Sequence, residues 1–369
     1  MTMVRGSHRA RLGELVAFKT GKLDSNAAVP NGGYPFFTCS QETLRTNTYS
    51  FDTECVLLAG NNANGIYPLK YFNGKFDAYQ RTYVVTTRDP QVLTARFLYY
   101  ALRPKLSQFR SVSTGAATKF LTLAILNETE IEVPPLPTQR RIAGILSAYD
   151  ELIENNQRRI KILEEMARSL YREWFVHFRF PGHDKVKMAS SPRGPIPHGW
   201  EVKNVKEVLA RRPAGQVYRE EDVVLEGTVP VIDQSTNELL GLHDNKPDHL
   251  ATLENPIAIF GDHTCKMQLL VEPFSIGPNV VAFEANVDRP ISYLFHIVRS
   301  LVQTQEYKRH WSQLTAKEIV LADKSTAEQF TTSIQPSLQQ VEVLRKANRV
   351  LRRTCDLLLP RLLSGEVAV

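Results

Sequence analysis

The chain is poor in cysteine and carries no recognisable catalytic signature. Its four cysteines, Cys39, Cys55, Cys265 and Cys355, stand far apart. None pairs at the close spacing of a zinc site, and single scattered cysteines build no disulfide framework. They read as small buried residues in a reducing cytoplasm. No apolar run is long enough to span a bilayer. The basic stretch from Met1 to Arg11 has no hydrophobic core behind it, so a secretory signal is not expected and the chain is read as cytoplasmic.

Enzyme motifs are missing too. A DNA methyltransferase needs a cofactor loop and an Asn-Pro-Pro-aromatic or similar run; Pro134-Pro135 is preceded by valine and followed by leucine. A P-loop needs glycine five residues before its Gly-Lys, where Gly21-Lys22 has Val16. Neither His-Glu-x-x-His nor Gly-x-Ser-x-Gly occurs. These gaps argue against a self-contained enzyme, with a site assembled from distant residues left open.

What is present is a duplication. Tyr34-Pro35-Phe36 recurs as Val229-Pro230-Val231. Val56 to Asn61 recurs as Ile257 to Asp262, Phe97 to Tyr100 as Tyr293 to His296, and Leu121-Thr122 as Leu314-Thr315. The period of about 196 residues is far above the roughly 20–50 of solenoids, so one globular unit has been copied once. Each copy is read as passing through a proline, Pro137 and then Pro336, into a long heptad helix.

The 369 residues, 43% hydrophobic and 23% charged, leave room for two or three domains with real cores. A net charge of +6 favours an acidic partner: nucleic acid first, with membrane surfaces and acidic proteins also admitted. Residues from about 8 to 134 read as short strands separated by Gly, Asn and Asp turns, with a helix over Thr94 to Leu102. The polar, small run from Arg110 to Lys119 reads as a loop. Prolines and glycines over 179–199 mark a linker, and the second copy follows, with its helix at Ile291 to Val302.

The long helices carry seams. Ile142, Leu146, Tyr149, Ile153, Asn156, Ile160, Leu163, Ala167, Leu170 and Trp174 are spaced four and three throughout. Val341, Leu344, Asn348, Leu351, Cys355, Leu358 and Leu362 repeat the pattern. Such stripes must be covered, and the nearest cover is the matching stripe of the same chain, though another subunit would also serve. An antiparallel pair is expected, with Asn156 and Asn348 near its middle fixing register. Each helix, about 38 residues and 55 Å long, would then place the two heads on half-sites one turn of B-DNA, about 34 Å, or slightly more apart.

The run from Pro134-Pro135-Leu136-Pro137 to Ile142, with Leu152-Ile153-Glu154-Asn155-Asn156 and Trp174-Phe175, resembles the conserved regions of the specificity subunits of type I restriction–modification systems. Gly194 to Trp200 and Leu359 to Glu366 look like the same family. The resemblance implies an α+β fold: two similar mixed α/β target-recognition domains separated by two long helices forming an antiparallel coiled coil, a pseudo-twofold internal repeat. It divides the chain into a recognition domain (1–136), a helix (137–180), a linker (181–199), a second recognition domain (200–325), and a second helix with tail (326–369). It implies a non-catalytic subunit whose two domains each read half of a bipartite, asymmetric site in double-stranded DNA. Two methyltransferase subunits would dock on the helices, and two motor-nuclease subunits would join for restriction. No cofactor would bind the chain itself; S-adenosylmethionine belongs to the methyltransferase, ATP and Mg to the motor. Two rival readings are a detached recognition region of a fused methyltransferase–nuclease and a helical protein-binding adaptor.

Reading DNA takes cations for phosphates and Arg, Lys, Asn or Gln for base edges. In the first head the candidates are Asn61, Asn62, Asn64, Lys70, Lys75, Gln80, Arg81, Arg110, Ser113, Thr114 and Lys119. In the second they are His263, Lys266, Gln268, Asn279, Lys308, Arg309, His310 and Lys317. The polar loop of the first head and the Tyr307 to Gln313 run of the second differ, so contacts do not transfer between them. Inserting one heptad into both helices should lengthen the spacer demanded between half-sites. Mapping methylated sites in cells reads that change, and an unchanged spacer would show that the helices measure nothing.

Overall fold

A computed structural model describes residues 6–62, 65, 67–113, 119–224, 226–235, 239–303, 309–367 and 369. The first half of the chain forms β1 (His8–Arg11), α1 (Leu12–Leu15), β2 (Val16–Thr20), β3 (Tyr34–Phe37), β4 (Thr43–Thr46), β5 (Phe51–Ala59), β6 (Asn61–Asn62), β7 (Leu69–Ala78) and β8 (Thr82–Thr87). It continues with α2 (Ala95–Leu102), α3 (Lys105–Val112), β9 (Lys119–Phe120), α4 (Leu123–Glu128), β10 (Glu130–Val133) and α5 (Leu136–Tyr171). The second half forms β11 (Met188–Ala189), β12 (Ile196–Pro197), β13 (Glu201–Asn204), α6 (Val205–Val208), β14 (Leu209–Arg211), β15 (Val229–Ile232), β16 (Leu239–His243), β17 (Ile257–Gly261), β18 (Met267–Leu270), β19 (Ser275–Ile276) and β20 (Val280–Ala285). It ends with α7 (Ile291–Val298), α8 (Trp311–Thr315), β21 (Glu318–Leu321) and α9 (Lys324–Leu363).

The chain divides into two compact units, Met1–Glu154 with Asn348–Val369, and Asn155–Ala347. Both cuts fall inside a long helix. The two units repeat one topology. β3 pairs antiparallel with β4 and parallel with β7; β15 pairs antiparallel with β16 and parallel with β19. β5 lies between β7 and β8, as β17 lies between β18 and β20. β1 pairs with β10 and β13 with β21. A single hydrogen bond shows how far the match goes: Leu12 N–H donates to the Thr129 carbonyl at 2.9 Å, and Val205 N–H to the Lys317 carbonyl at 2.8 Å.

One difference follows from a proline. In the first unit β7 runs unbroken for 10 residues, bending at Gly74 (φ +133°), and joins all six strands into one sheet, β2-β8-β5-β7-β3-β4. In the second unit Pro273, with no N–H to donate, falls where that strand would continue. The stretch becomes β18 and β19, and the sheet divides into β14-β20-β17-β18 and β16-β15-β19.

The helices cover each other's stripes within each unit. In the first, Ile142 and Leu146 of α5 share a core with Cys355, Leu359 and Leu362 of α9. In the second, Ala167 of α5 packs with Ala327, Phe330 and Ile334 of α9. Early residues of one helix meet late residues of the other, so α5 and α9 are packed antiparallel. Every seam position of both helices is buried or half-buried. Glu164 of α5 is gripped from two sides, by Arg345 of α9 at 3.0 Å and Arg299 at 3.1 Å.

Several sequence expectations shift. Pro336 is not the entry to the second helix: α9 begins at Lys324, well before it. The start is set by Asp323, whose carboxylate accepts from Thr326 N–H (3.0 Å), the Thr326 hydroxyl (2.7 Å) and the Trp200 indole N–H (3.1 Å). Burial of Phe330 and Ile334 outweighs the one hydrogen bond that Pro336 removes. The first helix is clamped differently, by fully buried Gln139, which accepts from Thr94 N–H and donates to the Val92 and Pro134 carbonyls. Leu121 is not the counterpart of Leu314. Leu121 precedes the α4 N-cap Thr122, whereas Leu314 lies inside α8, whose N-cap is His310; Leu126, buried in α4, matches it. Arg110 to Val112 form the last turn of α3 and not a loop. The 179–199 linker contains a small hairpin, β11 with β12. Trp174 sits in a π-turn beyond the end of α5.

Phe330 is ringed by Tyr171, Trp174, Phe175, Tyr293 and His296, with ring centroids 5.2 to 6.4 Å away. Burial in this cage pushes His296 down to about 3, helped by Arg299 and Arg168 nearby. A neutral buried imidazole means that the unfolded chain binds the extra proton below the ordinary value of 6.5. Stability is therefore complete above that pH and drains away as pH falls toward 3. His296→Phe should raise the melting temperature relative to the unmodified chain more at pH 5 than at pH 8. An equal effect at both values would show that His296 is not the acid-sensitive group.

Candidate nucleic-acid interface

In the first unit β5 is apolar and buried from Cys55 to Ala59 and ends at Gly60. Gly60 N–H donates to the Arg81 carbonyl at 2.8 Å, and a Cβ there would stand 2.7 Å from that oxygen, so only glycine fits. The next two residues, Asn61 and Asn62, form β6 and pair with Phe120 and Lys119 of β9. Leu121 N–H donates to the Gly60 carbonyl, and the Tyr83 hydroxyl to the Leu121 carbonyl, both at 2.9 Å. The bridge is thus fastened to the central strands.

This bridge gathers most of the first head's candidates. A Cβ on Gly65 would lie 3.1 Å from Arg110 Cγ and 3.4 Å from Lys119 Cγ, so both cations flank one turn. The Arg81 guanidinium lies 5.7 Å from the Phe120 ring centre. Gln80 and Arg81 share the exposed β7–β8 turn. The Cys39 thiol donates to Asn61 Oδ1 at 3.0 Å. Asn61, Asn62, Gln80, Arg81, Arg110 and Lys119 therefore come together. Phe120, which sequence reasoning did not single out, is exposed among them; its place directly after Lys119 was the available signal.

Three candidates are engaged elsewhere. Lys70 Nζ donates to the Ser40 and Glu42 carbonyls and the Thr43 hydroxyl, bracing the β3–β4 turn. Burial pushes its ammonium down to about 8, only partly offset by Glu42. Lys75 pairs opposite Asp52, at the far end of β5 and about 25 Å from Gly60 at strand rise. Ser113 is buried, its hydroxyl donating to the Arg110 carbonyl. Asn64 and Thr114 lie outside the described residues.

The second unit builds its turn around an acid. Asp262 N–H donates to the Asn279 carbonyl (2.8 Å), its own carbonyl accepts from His310 N–H (2.9 Å), and its Oδ1 accepts from Trp311 N–H (2.8 Å). His263 N–H donates to Gln234 Oε1 at 3.1 Å, and Lys266 Nζ to the Ser235 carbonyl. His263, Lys266, exposed Asn279 (φ +59°) and exposed Arg309 thus surround Asp262. Nothing in the chemistry of an acid marked Asp262 as part of such a site; its work is to hold backbone.

Two second-head candidates are buried and not presented. Gln268 faces a cavity lined by Leu163, Ala167, Met267 and Phe295, and His310 is 4% exposed with its ring beside Gln313 Oε1 at 3.1 Å. Lys317 is exposed but stands beyond the opposite end of α8. Lys308 lies outside the described residues. Among the described residues no cluster of His, Cys, Asp and Glu is placed to hold a metal, and no helix is long and apolar enough to cross a membrane.

Known proteins bear on this arrangement. Residues 6–165 match the family model described as "Type I restriction modification DNA specificity domain". The chain is 32% identical over 196 residues to the type I restriction enzyme EcoDI specificity subunit of Escherichia coli, an alignment covering 53% of this chain and 43% of that subunit. It thus spans less than half the length of that relative. It is 24% identical over 307 residues to the MjaIX specificity subunit of Methanocaldococcus jannaschii, covering 75% of this chain and 70% of that one. The fold is like that of a crystallised type I restriction–modification S subunit from M. genitalium, with a TM-score of 0.57 at 16% identity, covering 97% and 96% of the two chains. Residues 6–165 thus carry a type I restriction–modification DNA specificity domain, and the chain, with its duplicated frame and its pair of antiparallel helices, has the fold of an S subunit.

Proposed function

We propose that this chain is the non-catalytic reader of a type I restriction–modification complex. Residues 1–136 and 200–325 each read one half of a bipartite, asymmetric site in double-stranded DNA. The helices, 137–180 and 326–369, set the spacer and dock two methyltransferase subunits; the linker is 181–199. Asn156 and Asn348 fix the helical register. Two motor-nuclease subunits complete the restriction enzyme in the cytoplasm. S-adenosylmethionine is held by the methyltransferase, and ATP and Mg by the motor.

One observation carries this reading: the two units keep the same frame, down to the Leu12–Thr129 and Val205–Lys317 bonds, yet present unlike side chains at the turn that follows β5 and β17. A common frame with different faces suits two half-sites of different sequence. In the first unit Arg81, Arg110 and Lys119 supply phosphate contacts while Asn61, Asn62 and Gln80 meet base edges. In the second, Lys266 and Arg309 supply charge while His263 and Asn279 read. Sequence preference by the whole complex is tested by a methylome of cells carrying the chain with its methyltransferase.

Two results are expected. Lys119→Gln and Arg309→Gln should each weaken DNA binding and lower the steepness of its salt dependence by about one. Fluorescence anisotropy across a salt series measures this, and unchanged curves would remove these two residues from the interface. Replacing residues 1–136 with the corresponding segment of a relative should change one half of the methylated sequence only. Altered preference in both halves would refute modular reading.

A further inference from the structure

Phe120 is an aromatic side chain left 40% exposed on an unusually firm mount. Its backbone is paired to Asn61, and the next residue is tied twice, through Leu121 N–H to Gly60 and through the Leu121 carbonyl to the Tyr83 hydroxyl. The chain on either side of the ring is therefore fixed to the central sheet, with Leu121 1% exposed beneath it. The Arg81 guanidinium lies 5.7 Å from the ring centre, and Lys119, the preceding residue, flanks the neighbouring Gly65 turn together with Arg110. Leu123, at the start of α4, adds a second exposed apolar side chain.

An exposed ring with one cation against it and two more at the neighbouring turn is poorly placed for a protein core contact and well placed for a polyanion with flat apolar groups. Nucleic acid offers both: phosphates for the cations and base faces for the ring. The second unit handles its aromatic differently. Trp311, the residue after the α8 N-cap as Leu123 is after the α4 N-cap, packs inward against Phe260 and Phe283 at 5.8 and 5.5 Å.

Resting on the specificity reading above, we propose that Phe120 is a wedge residue. Its ring enters a base step of the first half-site and stacks on a base there, while Arg81, Arg110 and Lys119 hold the flanking phosphates. The first half-site is therefore read partly by how readily one step unstacks, and Trp311 offers no such wedge to the second.

The test uses the full chain assembled with its methyltransferase subunits, on duplexes carrying 2-aminopurine at successive positions of both half-sites. The unmodified complex should brighten the probe at one step contacted by the first unit. Phe120→Ala and Phe120→Leu should abolish that signal, and Phe120→Trp should keep it. Phe120→Ala should weaken binding about fivefold to hundredfold, the span that losing one base stack implies. Its salt dependence should stay as it was, since no cation is removed. Equal melting temperatures separate this from misfolding, and Phe120→Leu keeps the bulk while losing the aromatic face. Variants that bind and brighten like the unmodified chain, or that lose only methyltransferase association, overturn the wedge. A complex with no sequence preference at all would instead bring down the specificity reading itself.

Discussion

An apolar stripe along a helix has to be covered, and here α5 and α9 cover one another. Fully burying one side chain of the size of leucine or phenylalanine is worth about 1.5–3 kcal/mol, so a seam of this length outweighs the local defects it contains. One is Pro336, which removes a hydrogen bond from α9 and does not break it. The stripes also decide where polar groups belong. Gln139, buried at one helix start, is satisfied by Thr94, Val92 and Pro134 of the head it leaves, and half-buried Asp323 at the other by Thr326 of its own helix and Trp200 of its head.

The heads show how a scaffold and its faces diverge after duplication. The conserved part is what the core requires: a buried central strand, a helix over it, and an edge pair leading into the long helix. The part that varies is the turn beyond the central strand, where side chains meet solvent. In one unit the turn is pinned by backbone pairing of Asn61 and Asn62. In the other a carboxylate, Asp262, takes over that pinning. The same mechanical need is met by different chemistry in the two units.

Much of this was legible in the sequence. Heptad spacing located both helices, and the repeated text located β3 and β15, β5 and β17, and α2 and α7. These signals were readable because periodic burial imposes periodic composition. The entry to α9 was misread because Pro336 was given more weight than the N-cap Asp323, whose bonds to Thr326 are local although its bond to Trp200 is distant in sequence. The short α3 was missed because its final turn is polar and runs into small residues. Candidate residues next to the repeated glycine turn lie together, since the turn itself gathers them. Lys70, Gln268 and His310 lie apart from them or covered, and composition cannot show that a polar side chain is already occupied by a carbonyl or covered by a helix.

The division of the chain inside both helices has a consequence for synthesis. The first unit draws Cys355, Leu359 and Leu362 into its core, although nearly two hundred residues of the second unit are translated in between. On the ribosome the earlier-made head must wait, its apolar floor unfinished, until that late helical segment emerges. A message cut short within α9 would thus damage the head made first, and chaperones and proteases would meet that head as unfinished.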